Sequence, residues 1–381
     1  MAFPINYSWQ SLRLLDIFSI VMFLIALPFV SIKKENLVIV SLFFVIFFFS
    51  ILIGTFSIVE FDSKRLIFIY KYLYPFLLVL VFYNLNLNRF QLKTLVKYMF
   101  FTHIFLVIWV YVYIYMVSVG QIHGSFRPSF PFSNDFLASD AHLYSSVLAI
   151  GTLFFTMCFK HINNSKFLFL IFLILSLTAM MLTGSRTGIL VYIIGMIMYL
   201  VFIKKNFLFV IFAFSLLSLI IIYFDMPLIP DELTRVIDRI TNTNILNDES
   251  FKGRIQKLGI GLHDSEKMYF VFGTGVLNSS LIWYDSLIGS LMSHVGLLGF
   301  IVFFLMLYKL KKNTVNLASK DNEKAAIFTI LLVCYVFANF ITEYFLISRG
   351  VFPIVVYLSI LHQYIKIEHS KNNNYKSIIL K

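Results

Sequence analysis

The chain has 381 residues, 60% of them hydrophobic and only 13% charged, with a formal net charge of +12 and a mean hydropathy of +0.87. A soluble domain carries about 25% charged residues, so this composition excludes a water-soluble globule and asks for a bilayer as solvent. Cys158 and Cys334 both fall in apolar runs and point to packing, with no disulfide or metal framework.

In chain order, apolar runs fall near 14–32, 37–59, 66–83, 98–118, 141–159, 167–184, 189–203, 206–223, 286–308, 325–347 and 351–365. Backbone groups in lipid must be satisfied within helices or a closed barrel, and these runs lack the alternation of a barrel. The expected fold is an all-α membrane protein of about eleven transmembrane helices, with ten or twelve as the bounds. The first run has only Arg13 ahead of it and no small-residue cleavage site behind it, so it reads as a retained helix and not a signal peptide. With no repeat or low-complexity linker, the chain reads as one polytopic membrane domain over 1–381, holding a polar loop at 224–285 and ending in a tail at 366–381.

Short cytoplasmic loops collect Lys and Arg. With the N-terminus outside, the inner segments hold 18 basic residues and the short outer segments only six: Arg13, Lys64, Arg65, Arg127, Arg186 and Arg349. That count puts the C-terminus inside and the 224–285 loop outside. All but one of the inner basic residues are Lys, whereas eight of the nine arginines are outside once Arg235, Arg239 and Arg254 of the long loop are included. Lysine suffices for topology, but the planar guanidinium matches phosphate and carboxylate in a bidentate way. An outward, arginine-selective surface suggests an anionic ligand at the outer leaflet. The plainer alternative is that these arginines anchor helix ends.

Local motifs follow the same order. The outer segment GSFRPSFPFSNDFLASD (124–140) offers Arg127 and Asn134-Asp135 in a proline-rich turn. In LTGSRTGIL (182–190), two glycines flank Ser185-Arg186-Thr187 where two helices meet, which would let a ligand approach a guanidinium and two hydroxyls closely. The long loop carries nine of the chain's 19 acids. Pro230-Asp231-Glu232 opens one expected short helix, and a second opens near Ser250 and runs through FKGRIQKLGIGL, where Arg254 lies. FGTGV (272–276) is a glycine turn and not a nucleotide-binding fingerprint, because no strand precedes it and the spacing is wrong. Of the polar groups within spans, Lys71 and Asp16 lie near helix ends and can snorkel. His103, His294 and His362 read as hydrogen-bonded packing residues. Glu343 and Arg349, at the outer end of the tenth helix, could pair or line a site.

These motifs resemble the bacterial O-antigen polymerase (Wzy-type) and O-antigen ligase family of polytopic membrane glycosyltransferases. LTGSRTGIL is similar to that family's Thr-x-Ser-Arg-Gly turn between two helices. GRIQKLGIGL followed by VFGTGV (253–262, then 271–276) is similar to a Gly-Arg helix start leading to a Gly-x-Gly turn. YDSLIGSLMSHVGLLGF (284–300) resembles the segment entering the next helix, and PFSNDFLA (131–138) is a weaker fourth match. Ligases of the group typically carry His-Asn where Asp285-Ser286 stand, eleven residues before Gly296, and often an acid where His294 stands. Both departures favour a polymerase and put in doubt any transfer of a ligase's catalytic histidine to this chain.

The resemblance implies an enzyme of the outer face of the bacterial cytoplasmic (inner) membrane. It would move a growing glycan from undecaprenyl diphosphate to a lipid-linked repeat unit, as in lipopolysaccharide or other surface polysaccharide biosynthesis. Its partners would be the two lipid-linked oligosaccharides, membrane lipids, a chain-length regulator and a flippase, with no nucleic acid, cofactor or metal. Arg186 and Arg254 would stabilise the diphosphates, and Asp285, at the border of loop and helix, is the candidate base. His263-Asp264 is the runner-up for that role. Arg127, Asn134, Ser185, Glu343 and Arg349 complete the candidate substrate contacts. A ligase, and a transporter or flippase of an anionic or lipid-linked substrate, are the alternatives. The transporter reading is weakened by the lack of an evident inverted repeat or broken-helix pair.

Overall fold

Every extended regular element among the described residues is helical. The computed structural model describes residues 34–56, 77–81, 83–121, 139–158, 166–204, 270–273, 287–318, 322–341 and 348–379, with 21, 24, 74, 128, 252 and 256 as single positions. The helices are α1 (Lys34–Phe56), α2 (Arg89–Ser118), α3 (Ser139–Cys158), α4 (Lys166–Leu182), α5 (Arg186–Tyr199, continued by a π-helical turn, Leu200–Lys204), α6 (Leu287–Leu317), α7 (Asn322–Ile341) and α8 (Ser348–Ile379). Six of these, α2, α3, α5 with its π turn, α6, α7 and α8, are long and apolar enough to cross a membrane. The expected spans 206–223 and most of 14–32 lie outside the described residues, as do Lys71 and Asp16. The second helix expected in the long loop is represented by Lys252 and Gln256, both helical.

Helix ends depart from the apolar runs for local reasons. α2 begins nine residues ahead of its apolar run because Asn88 and Gln91 form a capping box: Asn88 Oδ1 accepts the Gln91 N–H at 2.8 Å and Gln91 Oε1 accepts the Asn88 N–H at 2.9 Å. It closes in a Schellman turn at Gly120, where the Gln121 N–H reaches the Met116 carbonyl at 2.9 Å. α8 runs through the expected tail to Ile379, since no proline or glycine after Pro353 interrupts it. α2 also shows which solvent it faces. Tyr98, Phe101, Phe105, Ile108, Val112 and Tyr115 recur at helical spacing and are all exposed. A continuous exposed apolar stripe of this kind is stable against lipid and not against water.

The chain divides into two compact units. In the unit of Thr94–Asn244 with Asp321–Tyr335, α3 is the central helix, with 89% of its membrane-length window buried. α3 packs on α4 and α5. Phe100, Phe155 and Phe172 meet around His103, whose Nε2 lies 3.1 Å from Thr152 Oγ1. His103 is thus a hydrogen-bonded packing residue, as expected. Cys158 and Cys334 are buried free thiols, also as expected. At the far end of α5, Lys204 Nζ pairs with Glu323 Oε1 at 3.2 Å, joining two helix ends that the lysine count puts on one side.

In the other unit, α6 packs against α1 and α8. Tyr83, Thr314 and His362 form a buried polar knot. The Tyr83 hydroxyl donates to the Leu310 carbonyl at 3.0 Å and lies 2.7 Å from Thr314 Oγ1. Thr314 Oγ1 in turn meets His362 Nδ1 at 3.1 Å, and the Tyr83 and His362 rings stack at 3.8 Å. His362 therefore packs as expected. Thr314→Val keeps the shape but removes the hydroxyl that links both rings. It should lower stability by about 1–3 kcal/mol, read as a fall in the melting temperature of the detergent-purified protein.

Candidate functional site

The turn between α4 and α5 is built by its own side chains. The Thr183 hydroxyl donates to the Met180 carbonyl at 2.6 Å and accepts the Ser185 N–H at 3.3 Å, while Gly184 takes a left-handed backbone (φ 62°) and donates to the Met181 carbonyl at 2.9 Å. Ser185 is the N-cap of α5, with extended backbone (φ −107°, ψ 115°), so Arg186 is the first helical residue. Thr183, Ser185 and Thr187 are buried, and Arg186 is half-buried. The chain therefore offers a guanidinium on a rigid turn whose backbone hydrogen bonds do not depend on it.

A serine at an N-cap ordinarily accepts an N–H of the helix's first turn. Ser185 makes no such bond. Its hydroxyl lies 3.0 Å from Nδ1 of His142, on the first turn of α3. One helical turn further on, Gly188 presses against Ser145 so closely that a Cβ would stand 2.6 Å from the Ser145 carbonyl oxygen. His142 was not among the expected site residues. The signal was an ionisable side chain at the start of an apolar run.

The end of the long loop is anchored in the other unit. α6 breaks at Gly296 (φ 68°, ψ −172°), nine residues past its start, about 13 Å along the axis at about 1.5 Å per residue. The Leu297 and Leu298 N–H groups, which an unbroken helix would satisfy with Ser293 and His294 carbonyls, instead donate to Phe270 (2.8 Å) and Val271 (3.1 Å) carbonyls of the loop. The His294 carbonyl accepts the Ser50 hydroxyl of α1. The Phe272 ring lies 6.0 Å from that of Phe49. Gly273 (φ 74°) closes the contact, and a Cβ there would stand 2.5 Å from the His294 carbonyl carbon. Irregular backbone at membrane depth is tolerated where protein satisfies it, and here the loop does so. The expected glycine turn at 272–276 is present at Gly273, whereas the break in α6 was not foreseen. Among the described residues it is a single break whose freed donors are already bonded, unlike a transporter's open half-helix ends.

Of the expected site residues, Ser185 and Arg186, neighbours in the chain, lie on the turn between α4 and α5. Arg349 is the second residue of α8. Arg127, Asn134, Arg254, His263, Asp264, Asp285 and Glu343 lie outside the described residues.

Long apolar helices, lipid-facing stripes and polar turns at their ends define a multi-pass membrane protein. Residues 171–289, which include the Ser185-Arg186 turn and lead to the start of α6, match the family model described as O-antigen ligase. This agrees with the resemblance to the O-antigen polymerase and ligase family, whose members are membrane glycosyltransferase-like enzymes acting on lipid-linked oligosaccharides. No curated protein matches the chain significantly.

Proposed function

We propose that this chain is a surface-polysaccharide polymerase that moves a growing glycan from undecaprenyl diphosphate to a lipid-linked repeat unit at the outer face of the cytoplasmic membrane. The observation that carries this reading is the half-buried Arg186 on its self-braced turn, inside the segment that matches the family model. In the reaction, a hydroxyl of the acceptor sugar attacks the anomeric carbon of the donor. The bond from that carbon to the diphosphate oxygen breaks, the hydroxyl proton passes to a base, and undecaprenyl diphosphate leaves with the bonding electrons. Negative charge grows on the leaving diphosphate, and fixed guanidinium groups stabilise it. Arg186 and Arg254 are the proposed diphosphate ligands and Asp285 the proposed base. His263-Asp264, Arg127, Asn134, Ser185, Glu343 and Arg349 serve substrate binding. Holding two lipid carriers together supplies much of the remaining rate by orientation.

The proposed topology follows the basic-residue count: N-terminus and 224–285 outside, C-terminus inside. A chain-length regulator and a flippase are the proposed protein partners. Asp285-Ser286 in place of His-Asn favours polymerisation. The description of the matched family favours a second reading, a ligase that moves finished glycan onto a lipid acceptor. Deleting the gene and resolving surface glycan on a gel separates them. A lost polymerase leaves core bearing one repeat, which is the expected result. Bare core would replace polymerase by ligase, and an unchanged ladder would remove both.

A further inference from the structure

We infer that His142 is a positioning residue for Arg186: its bond to the Ser185 hydroxyl locks the first turn of α5 so that the guanidinium meets a diphosphate in one direction. The inference rests on the reading of Arg186 as a diphosphate ligand and adds a residue that reading did not include.

Three observations support it. First, the Ser185 hydroxyl has a choice of partner. At an N-cap it could bond the N–H groups of its own helix, yet it makes no cap bond and lies 3.0 Å from His142 Nδ1. Second, the pairing repeats one turn on. His142 and Ser145 are i and i+3 on α3, which places them on one helix face; His142 meets the N-cap Ser185, and Ser145 meets Gly188 in the first turn of α5. The two helices are thus joined by two contacts at the end that bears Arg186. Third, α3 is the most buried of the long apolar helices, so the imidazole is rooted on a helix packed into the core of its unit. Both His142 and Arg186 are half-buried, whereas Ser185 between them is buried. The bond is thus shielded while Arg186 itself is half-buried. Losing it would free Ser185 to cap α5, which preserves the helix but lets its first residue change direction.

The test uses the full chain in lipid nanodiscs, with farnesyl diphosphate as the probe and calorimetric titration as the readout. His142→Ala and Ser185→Ala should each weaken binding about tenfold, the worth of one fixed hydrogen bond. The double variant should be no weaker than either single, because both remove one interaction. His142→Asn, whose amide takes the place of Nδ1 and can still bond a hydroxyl, should restore most of the affinity. The melting temperature of His142→Ala should stay within about 3 °C of the parent, since Ser185 can cap instead. Additive losses would overturn the pairing, and so would a binding loss matched by a collapse of stability. Should His142→Ala fail to fold, His142→Phe, which keeps a ring but cannot bond the hydroxyl, takes its place, and unchanged affinity there overturns the inference. Arg186→Ala separates the two readings. If it loses binding while His142→Ala does not, only the positioning role falls. If neither loses binding, the diphosphate reading of Arg186 falls as well.

Discussion

Arg186→Ala is expected to abolish long glycan chains in cells while leaving the amount of protein unchanged. The turn it sits on is held by the Thr183 hydroxyl, the Gly184 amide and the Ser185 backbone, through bonds to Met180, Met181 and one another. The fold should therefore survive truncation. A donor aimed at a developing anion is worth about 2.7–4 kcal/mol, or about a hundredfold to a thousandfold in rate, and a slowed polymerase shows as loss of the upper ladder. Arg254→Ala should behave in the same way if each arginine serves one diphosphate. Arg186→Lys should recover only part of the chain length, because an ammonium lacks the planar fork. Full activity in Arg186→Lys would reduce the residue to general electrostatic anchoring.

How far the sequence discloses this molecule depends on the range of the interaction. Hydropathy alone placed α3, α4 and α7 within a few residues of their apolar runs, because burial in lipid is decided residue by residue. The start of α2 escaped it. Asn88 and Gln91 are polar, and their reciprocal caps extend the helix past the apolar run, although the Asn-x-x-Gln spacing was there to be read. The Ser185-Arg186 turn was legible because flanking glycines and small polar residues advertise a tight bend. His142 was not, since its meaning lies in a contact with a residue 43 positions away on another helix. The same holds for the two glycine motifs of the loop and α6. Read separately, VFGTG is a turn and SHVGLLGF is continuous helix, since an isolated glycine in an apolar run does not announce a break. Together they form one contact, with Gly273 against His294 and Gly296 against Val271.

That contact sets the second large effect. Gly296→Ala should release the end of the long loop from α6 and shorten the surface glycan, with Gly273→Ala doing the same. An alanine at Gly296 must hold φ 68° with ψ −172°, a region adopted essentially by glycine alone, which costs about 1–3 kcal/mol for a residue with a Cβ. Its Cβ would also overlap the Val271 carbonyl and the Gly273 amide, both backbone atoms with no rotamer to yield. Overpacking of this kind costs about 1–3 kcal/mol. Relief requires the strap at 270–273 to move away, and the Leu297 and Leu298 N–H groups then lose their Phe270 and Val271 partners. The most direct readout is amide hydrogen exchange at Leu297 and Leu298. A loss of about 2 kcal/mol or more should speed their exchange about thirtyfold or more. The two glycine variants should not add when combined, because each opens the same contact. The glycan ladder then reports whether the anchored loop matters to chemistry. It should shorten, since Asp285 falls in the stretch of chain between this strap and the start of α6. Fast exchange with an unchanged ladder would make the contact a matter of stability alone. Unchanged exchange at both amides would mean that α6 does not break at Gly296.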